Sequence, residues 1–260
     1  ARGYVAQWDV FHEQTQFIAG MMPWQVTLGN HERDWPGSGG FFNDTQYDSG
    51  GECGIATELR YPMSTRQPRR VGSVVDDTPW YAWNWGPLHV VAISTEHSVL
   101  SGSPQFDFIR ADLESVDRGA TPWVIVMGHR PFYIDSINWN KPDGDQYVAQ
   151  EMRDGGLEDL LHEYKVDLVF GAHHHSYQRS CRIYKGQCVA DGEVGITNIV
   201  LGMAGAGNSQ NMESPQPEIW KYVDASHHGY TTIDADAKRF HMQYKAGYPA
   251  LVADEFTLTK

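Results

Sequence analysis

The sequence predicts an α/β sandwich in which helices cover a sheet. Three observations predict it. Short apolar runs read as buried strands, helical stretches alternate with them through the middle of the chain, and three of the runs end in clusters of Asn or His. Residues 5–22 carry Val5, Trp8, Phe11, Phe17, Ile18 and Met21 at helical spacing, so a helix is expected there. Residues 24–28 read as a short strand running into Gly29, Asn30, His31 and Glu32, and residues 33–55, rich in Gly, Asp and Ser, as a long loop. Residues 88–94 read as a buried strand and 104–117 as a helix. A second buried strand, 123–127, ends in Gly128, His129, Arg130 and Pro131. Residues 157–164 read as the end of another helix. The strand 166–170 follows and ends in Gly171, Ala172, His173, His174 and His175. Residues 196–203 and several β-like stretches complete the chain, with His227 and His228 before Gly229. Trp80, Tyr81, Trp83 and Trp85 read as a packed aromatic hairpin, with a binding groove as the alternative.

Composition narrows the function. With 260 residues, 41% of them hydrophobic and 20% charged, the chain has a globular composition and the length for a sizeable core. No apolar run approaches the roughly 20 residues that span a bilayer. The opening residues lack a signal-peptide layout, so any targeting segment is expected to be removed or to lie outside this sequence. A formal net charge of −13 argues against binding to nucleic acid or an anionic membrane. An anionic substrate would need a local cation, and a bound metal is the obvious one. Phosphate loops of the G-x-x-x-x-G-K-[ST] type and G-x-S-x-G elbows do not occur. The Gly-rich run from Gly202 to Gly207 lacks a helix start after it, and reads as a tight loop near the site.

Cys181 and Cys188 enclose six residues with a turn signal, which suits a local disulfide; a zinc site is the rival reading. Cys53 is left over, either free or paired outside this sequence. Asn43 heads an Asn-Asp-Thr glycosylation sequon. Together these features place the chain in a secreted, vacuolar or lysosomal setting.

The histidines carry the chemistry. Loops beyond the carboxyl ends of strands are where α/β folds bind ligands, so the three strand-end clusters are expected to share one site. In an extended segment alternate side chains share a face, which would send His173 and His175 together and His174 away. A pair of that kind offers two imidazoles to a metal, although singly each histidine suits an ordinary surface role.

The stretches LGNHE (28–32), VMGHRPFY (126–133) and FGAHHHSYQRSC (170–181) resemble the last three metal-site blocks of the purple acid phosphatases, within the calcineurin-like metallophosphoesterases. The resemblance implies a four-layer α/β/β/α sandwich with mixed sheets. It also implies that residues 1–260 form one catalytic domain that is incomplete at its N-terminus, with the first strands missing. It assigns Asn30, His129 and His173 to a divalent zinc, manganese or iron ion and His175 to ferric iron. His31 would bind phosphate or protonate the leaving alkoxide, His228 would bind substrate, and Cys181 and Cys188 stand where such enzymes often place a disulfide. Ala172 replaces a usual Gly and Gln178 a usual Glu, neither of them a metal ligand in that family. The family's D-x-G and G-D-x-x-Y blocks are not found, so the ferric site would keep only His175 and hold trivalent iron poorly. The activity implied is hydrolysis of a small phosphate monoester. Phosphodiester or pyrophosphate hydrolysis is the related alternative, and a non-catalytic binding or structural role is the alternative of a different class. A missing N-terminal segment or a second copy of the chain is the implied partner.

Overall fold

Two apolar faces on one sheet set the layering. The computed structural model describes residues 5–33, 54–61, 63, 78–141 and 144–260. Asn43 of the sequon and Cys53 lie outside the described residues. Among the described residues the large sheet has eight strands: β1 (Tyr81–Trp85), β2 (Leu88–Ala92), β3 (Trp123–Met127), β4 (Leu168–Gly171), β5 (Tyr177–Tyr184), β6 (Gln187–Cys188), β7 (Ile196–Leu201) and β8 (Trp220–Asp224). Their order is β1-β2-β3-β4-β7-β5-β6, with β8 also on β5. Strands β2, β3, β4 and β7 are parallel, and the others join antiparallel. A second, antiparallel sheet holds β9 (Gly229–Ala235), β10 (Arg239–Ala246) and β11 (Leu251–Thr259), with β10 central.

Register shows why the parallel strands read as unbroken apolar runs. Val91, Val126 and Val169 pair across β2, β3 and β4 and face one side, where α4 (Pro104–Glu114), α5 (Asp145–Met152) and α6 (Glu158–Glu163) pack on them with Phe106, Ile109, Met152 and Leu161. Val90, Ile125 and Leu168 face the other side and meet Phe240, Met242 and Tyr244 of β10. Both faces are dry, as parallel sheets require. Each fully buried side chain contributes about 1.5–3 kcal/mol. The described residues therefore give helices, mixed sheet and second sheet, in the α/β sandwich order expected.

The helices follow local chemistry. α4 starts with Pro104 after Ser103, whose hydroxyl accepts the Phe106 N–H. The chain from α5 into α6 passes through a π-helical turn, Arg153–Leu157, rather than continuing as one helix. Gly156 there takes φ 94°, which an L side chain rarely adopts. α1 (Val5–Ala19) forms as expected but ends three residues early. The expected strand over residues 24–28 does not form. No strand pairs with it among the described residues, and the Tyr81 hydroxyl instead donates to the Val26 carbonyl. The aromatic segment is a hairpin: β1 and β2 pair around the turn at Gly86, and the Tyr81 and Trp83 rings stack at 5.3 Å, while Trp85 beside the turn stays exposed rather than packed. Cys181 and Cys188 are joined in a disulfide, so the zinc alternative is set aside.

Candidate metal and phosphate site

β3 and β4 deliver two of the histidines side by side because their ladder continues past the strands. Gly128 N–H donates to the Phe170 carbonyl, and Ala172 N–H donates to the His129 carbonyl. The His129 and His173 rings then meet edge to face, 5.0 Å between centroids. Asn30 opens a single helical turn, α2 (Asn30–Arg33), and its side chain reaches the same point. His129 Nε2 lies 2.8 Å from Asn30 Oδ1 and 3.0 Å from His173 Nδ1.

The tautomers follow from the partners. Asn30 Oδ1 can only accept, so His129 Nε2 carries the proton, and His173 Nδ1 presents a second lone pair to it. His173 therefore carries its own proton on Nε2, which faces Asp145 Oδ1 at 3.5 Å. A divalent ion would take the place of that proton, with His129 then carrying its proton on Nδ1, so that Asn30 Oδ1, His129 Nε2 and His173 Nδ1 would present three lone pairs to it. A tetrahedral divalent ion at about 2.0–2.1 Å from each would need donors roughly 3.3 Å apart, a few tenths of an ångström wider than this pocket. An amide oxygen and two imidazoles suit a divalent transition ion. Burial, then the charges of His173 and Arg130, and then those of His31 and His175, hold the His129 imidazole well below its ordinary pKa, so it stays neutral as a ligand must be.

A ferric partner fits less well. Among the described residues no group of three or more His, Cys, Asp or Glu stands together to hold a metal. His173 does not sit in an extended segment. It takes φ 57° at the start of a bend, so the alternation that would have paired it with His175 does not apply. His173 turns to His129, while His175 donates from Nδ1 to the Gly207 carbonyl and leaves Nε2 with a lone pair. His228 donates from Nε2 to the adjacent Ala206 carbonyl. The Gly-rich loop thus ties His175 and His228 to consecutive carbonyls, beside the site as its sequence suggested. Its backbone passes so close to the histidine segment that a Cβ on Gly202 would stand 2.0 Å from the His174 carbonyl oxygen. Gly202→Ala is therefore expected to lower stability by about 1–3 kcal/mol and to shift His175, seen as a lower urea midpoint and moved histidine NMR signals. His31 is exposed beside Asn30, and its charge is felt at His129.

His174 is buried and takes no part in the convergence. It donates from Nε2 to Asn211 Oδ1, 3.0 Å away, and burial first of all lowers its pKa. Its Nδ1 is met by Ser176 Oγ and Gln178 Nε2. Gln178 explains its own departure from the family pattern. It accepts from the Asp135 N–H and donates to the Asp135 carbonyl and Ser176 Oγ, which a carboxylate could not do.

Sequence reasoning missed Asp145. Its carboxylate faces His173, and its other oxygen accepts from Ser136 Oγ and Asn211 Nδ2. Burial pushes its pKa up, but the hydrogen bonds from His173 and Ser136 outweigh that and bring it down to about 2. A carboxylate held this way contributes stability above its ordinary 3.8 that is lost as pH falls toward about 2. The sole sequence signal was an acidic residue following the strand-end His129, at the position that opens α5. Asp145 fixes the His173 tautomer, so Asp145→Asn is expected to weaken divalent-ion binding roughly 10–100-fold in a calorimetric titration with Zn²⁺.

Comparison with known proteins shows the family. Residues 195–255 match the family model described as iron/zinc purple acid phosphatase-like protein C, and residues 2–177 the model described as calcineurin-like phosphoesterase. The chain belongs to the purple acid phosphatase family of calcineurin-like phosphoesterases. It is 34% identical to the Arabidopsis thaliana protein named "Probable inactive purple acid phosphatase 27", over 99% of this chain and 41% of the relative. It is 32% identical to a Hordeum vulgare nucleotide pyrophosphatase/phosphodiesterase, over 99% of this chain and 68% of that protein. The structure of a purple acid phosphatase from yellow lupin (Lupinus luteus) seeds superposes with TM-score 0.85 at 30% identity, covering the whole chain and 44% of the lupin chain. The chain thus spans about two-fifths of the length of several curated relatives. No described helix is long and apolar enough to cross a membrane.

Proposed function

We propose that this chain carries the divalent-metal and phosphate-binding half of an acid phosphatase site that hydrolyses phosphate monoesters. The observation that supports it most is the convergence of Asn30 Oδ1, His129 Nε2 and His173 Nδ1 on one point. A divalent ion there, zinc, manganese or ferrous iron, would polarise a phosphoryl oxygen and acidify a water. Asp145 holds the His173 tautomer. His31, on the exposed side of Asn30, binds the phosphate or gives a proton to the leaving oxygen. His228, with Nε2 donating to the Ala206 carbonyl, keeps Nδ1 for a contact to substrate. The disulfide suits a secreted, vacuolar or lysosomal setting.

The ferric half of a binuclear centre is not furnished by the described residues, and no step is assigned to it. That same gap favours a second reading, a phosphatase fold that binds without catalysing, and several relatives carry "inactive" in their names. A phosphodiester or pyrophosphate substrate is the closer variant, carried by the barley relative. Elemental analysis of the purified chain, run with p-nitrophenyl phosphate and its bis ester at mildly acidic pH, decides among them. One divalent ion with slow monoester turnover is the expected result. A bound ion without turnover would favour the binding role, and faster loss of the bis ester the diesterase. A metal-free, inert chain would overturn all three.

A further inference from the structure

The connection from β3 to α5 leaves the site face with an aromatic shelf. Ile137 is 62% exposed and Trp139 53% exposed, two large apolar side chains presented to water one residue apart. Their exposure does not come from a loose backbone. Ser136 Oγ donates to Asp145 Oδ2 at 2.5 Å and accepts the Asn138 N–H. The Asn138 side chain accepts the Asn140 N–H, its carbonyl accepts the Gln146 N–H, and the Asn140 carbonyl accepts the Gly144 N–H. The backbone is therefore held on both sides of Trp139.

The backbone that carries the shelf is tied to residues beside the site. Ile137 N–H donates to the Asn211 carbonyl, and Asn211 also holds His174 and Asp145, the residue facing His173. The connections after β3, β4 and β7 all leave from the carboxyl ends of parallel strands, so this one borders the same face as His129, His173 and the Gly-rich loop. Lys141 adds a cation at the same turn, 4.7 Å over the Tyr147 ring, in a chain of net charge −13.

We propose that Trp139 is a specificity-determining residue: it stacks the planar ring of an aryl or nucleobase-bearing leaving group while the phosphate lies at the histidine cluster. The inference rests on the phosphoester reading. An exposed indole on a hydrogen-bonded backbone, with Ile137 and two asparagines as its neighbours in the chain, offers an apolar surface the size of one flat ring rather than of a broad protein interface. Stacking on such a platform favours ring-bearing ligands roughly tenfold without reading their identity.

Calorimetric titration of the full 260-residue chain, supplied with Zn²⁺, tests this with three non-hydrolysed probes: inorganic phosphate, methylphosphonate and phenylphosphonate. The expected result is roughly tenfold tighter phenylphosphonate than methylphosphonate, with the preference lost in Trp139→Ala and methylphosphonate affinity unchanged. Trp139 is exposed, so the variant should keep the parent's thermal midpoint. Equal affinities for the two phosphonates in the parent, or a preference that survives in Trp139→Ala, would overturn the shelf while leaving the phosphoester reading intact. Failure of all three probes, inorganic phosphate included, would overturn that reading and the shelf with it.

Discussion

His129→Ala is expected to weaken divalent-ion binding by well over a hundredfold and to remove any phosphatase activity with it. His129 Nε2 is the atom that both other donors meet, at 2.8 Å from Asn30 and 3.0 Å from His173. Without it two donors remain, which is too few for a tetrahedral site. The loss should exceed the roughly 10–100-fold of a supporting residue such as Asp145, which only orients a donor. Competition titration with Zn²⁺ against a chromophoric chelator measures it. An affinity unchanged by His129→Ala would mean that the three atoms converge without holding a metal. His174→Ala is the contrast. His174 sits in the same run of three histidines but bonds to Asn211, Ser176 and Gln178, so its loss should lower stability and leave metal binding nearer the parent.

The difference between those two histidines marks what the sequence could convey. Residues 123–127 read correctly as a strand because β3 is buried on both faces, so its pattern is continuous rather than alternating. Asn30, His129 and His173 were legible as a set because each follows directly on an apolar run or a family block. The failures have a common cause. Residues 24–28 are as strand-like as residues 123–127, but a strand exists only with a partner, and none is present among the described residues. His173 and His175 would share a face only if the backbone between them were extended, and His173 at φ 57° breaks that condition. Asp145 reaches His173 across 28 positions of sequence through the docking of α5, which periodicity does not encode. Propensity and spacing report what a segment prefers alone; the site was decided where segments meet.

The second large effect lies beneath the histidines. Glu96→Ala is expected to destabilise the protein by about 3–5 kcal/mol, measured as a shift in the urea midpoint, because it breaks a buried ion pair from one side. Arg130 Nε donates to Glu96 Oε1 at 2.9 Å, with the side chains only 2% and 0% exposed. The Thr95 hydroxyl bridges the two, donating to Glu96 Oε1 and accepting the Arg130 N–H. Arg130 follows His129 directly, so the pair anchors the backbone that carries the central histidine. Electrostatics point the same way. Burial and then the His173 and Arg130 charges hold the His129 pKa down, and the Glu96 carboxylate pairs with that same guanidinium. Removing the carboxylate leaves that cation less compensated and the site less receptive to a second positive charge, so metal affinity should fall together with stability. Among the described residues the buried Glu96 Oε2 has no hydrogen-bond partner, which weakens the pair's net contribution. The double variant Glu96→Leu with Arg130→Met is therefore expected to recover most of the lost stability. If it also restores metal affinity, the pair serves only to fill space beneath the histidines. If stability returns and affinity does not, the pair positions His129, and its desolvation cost is offset by a correctly held ligand.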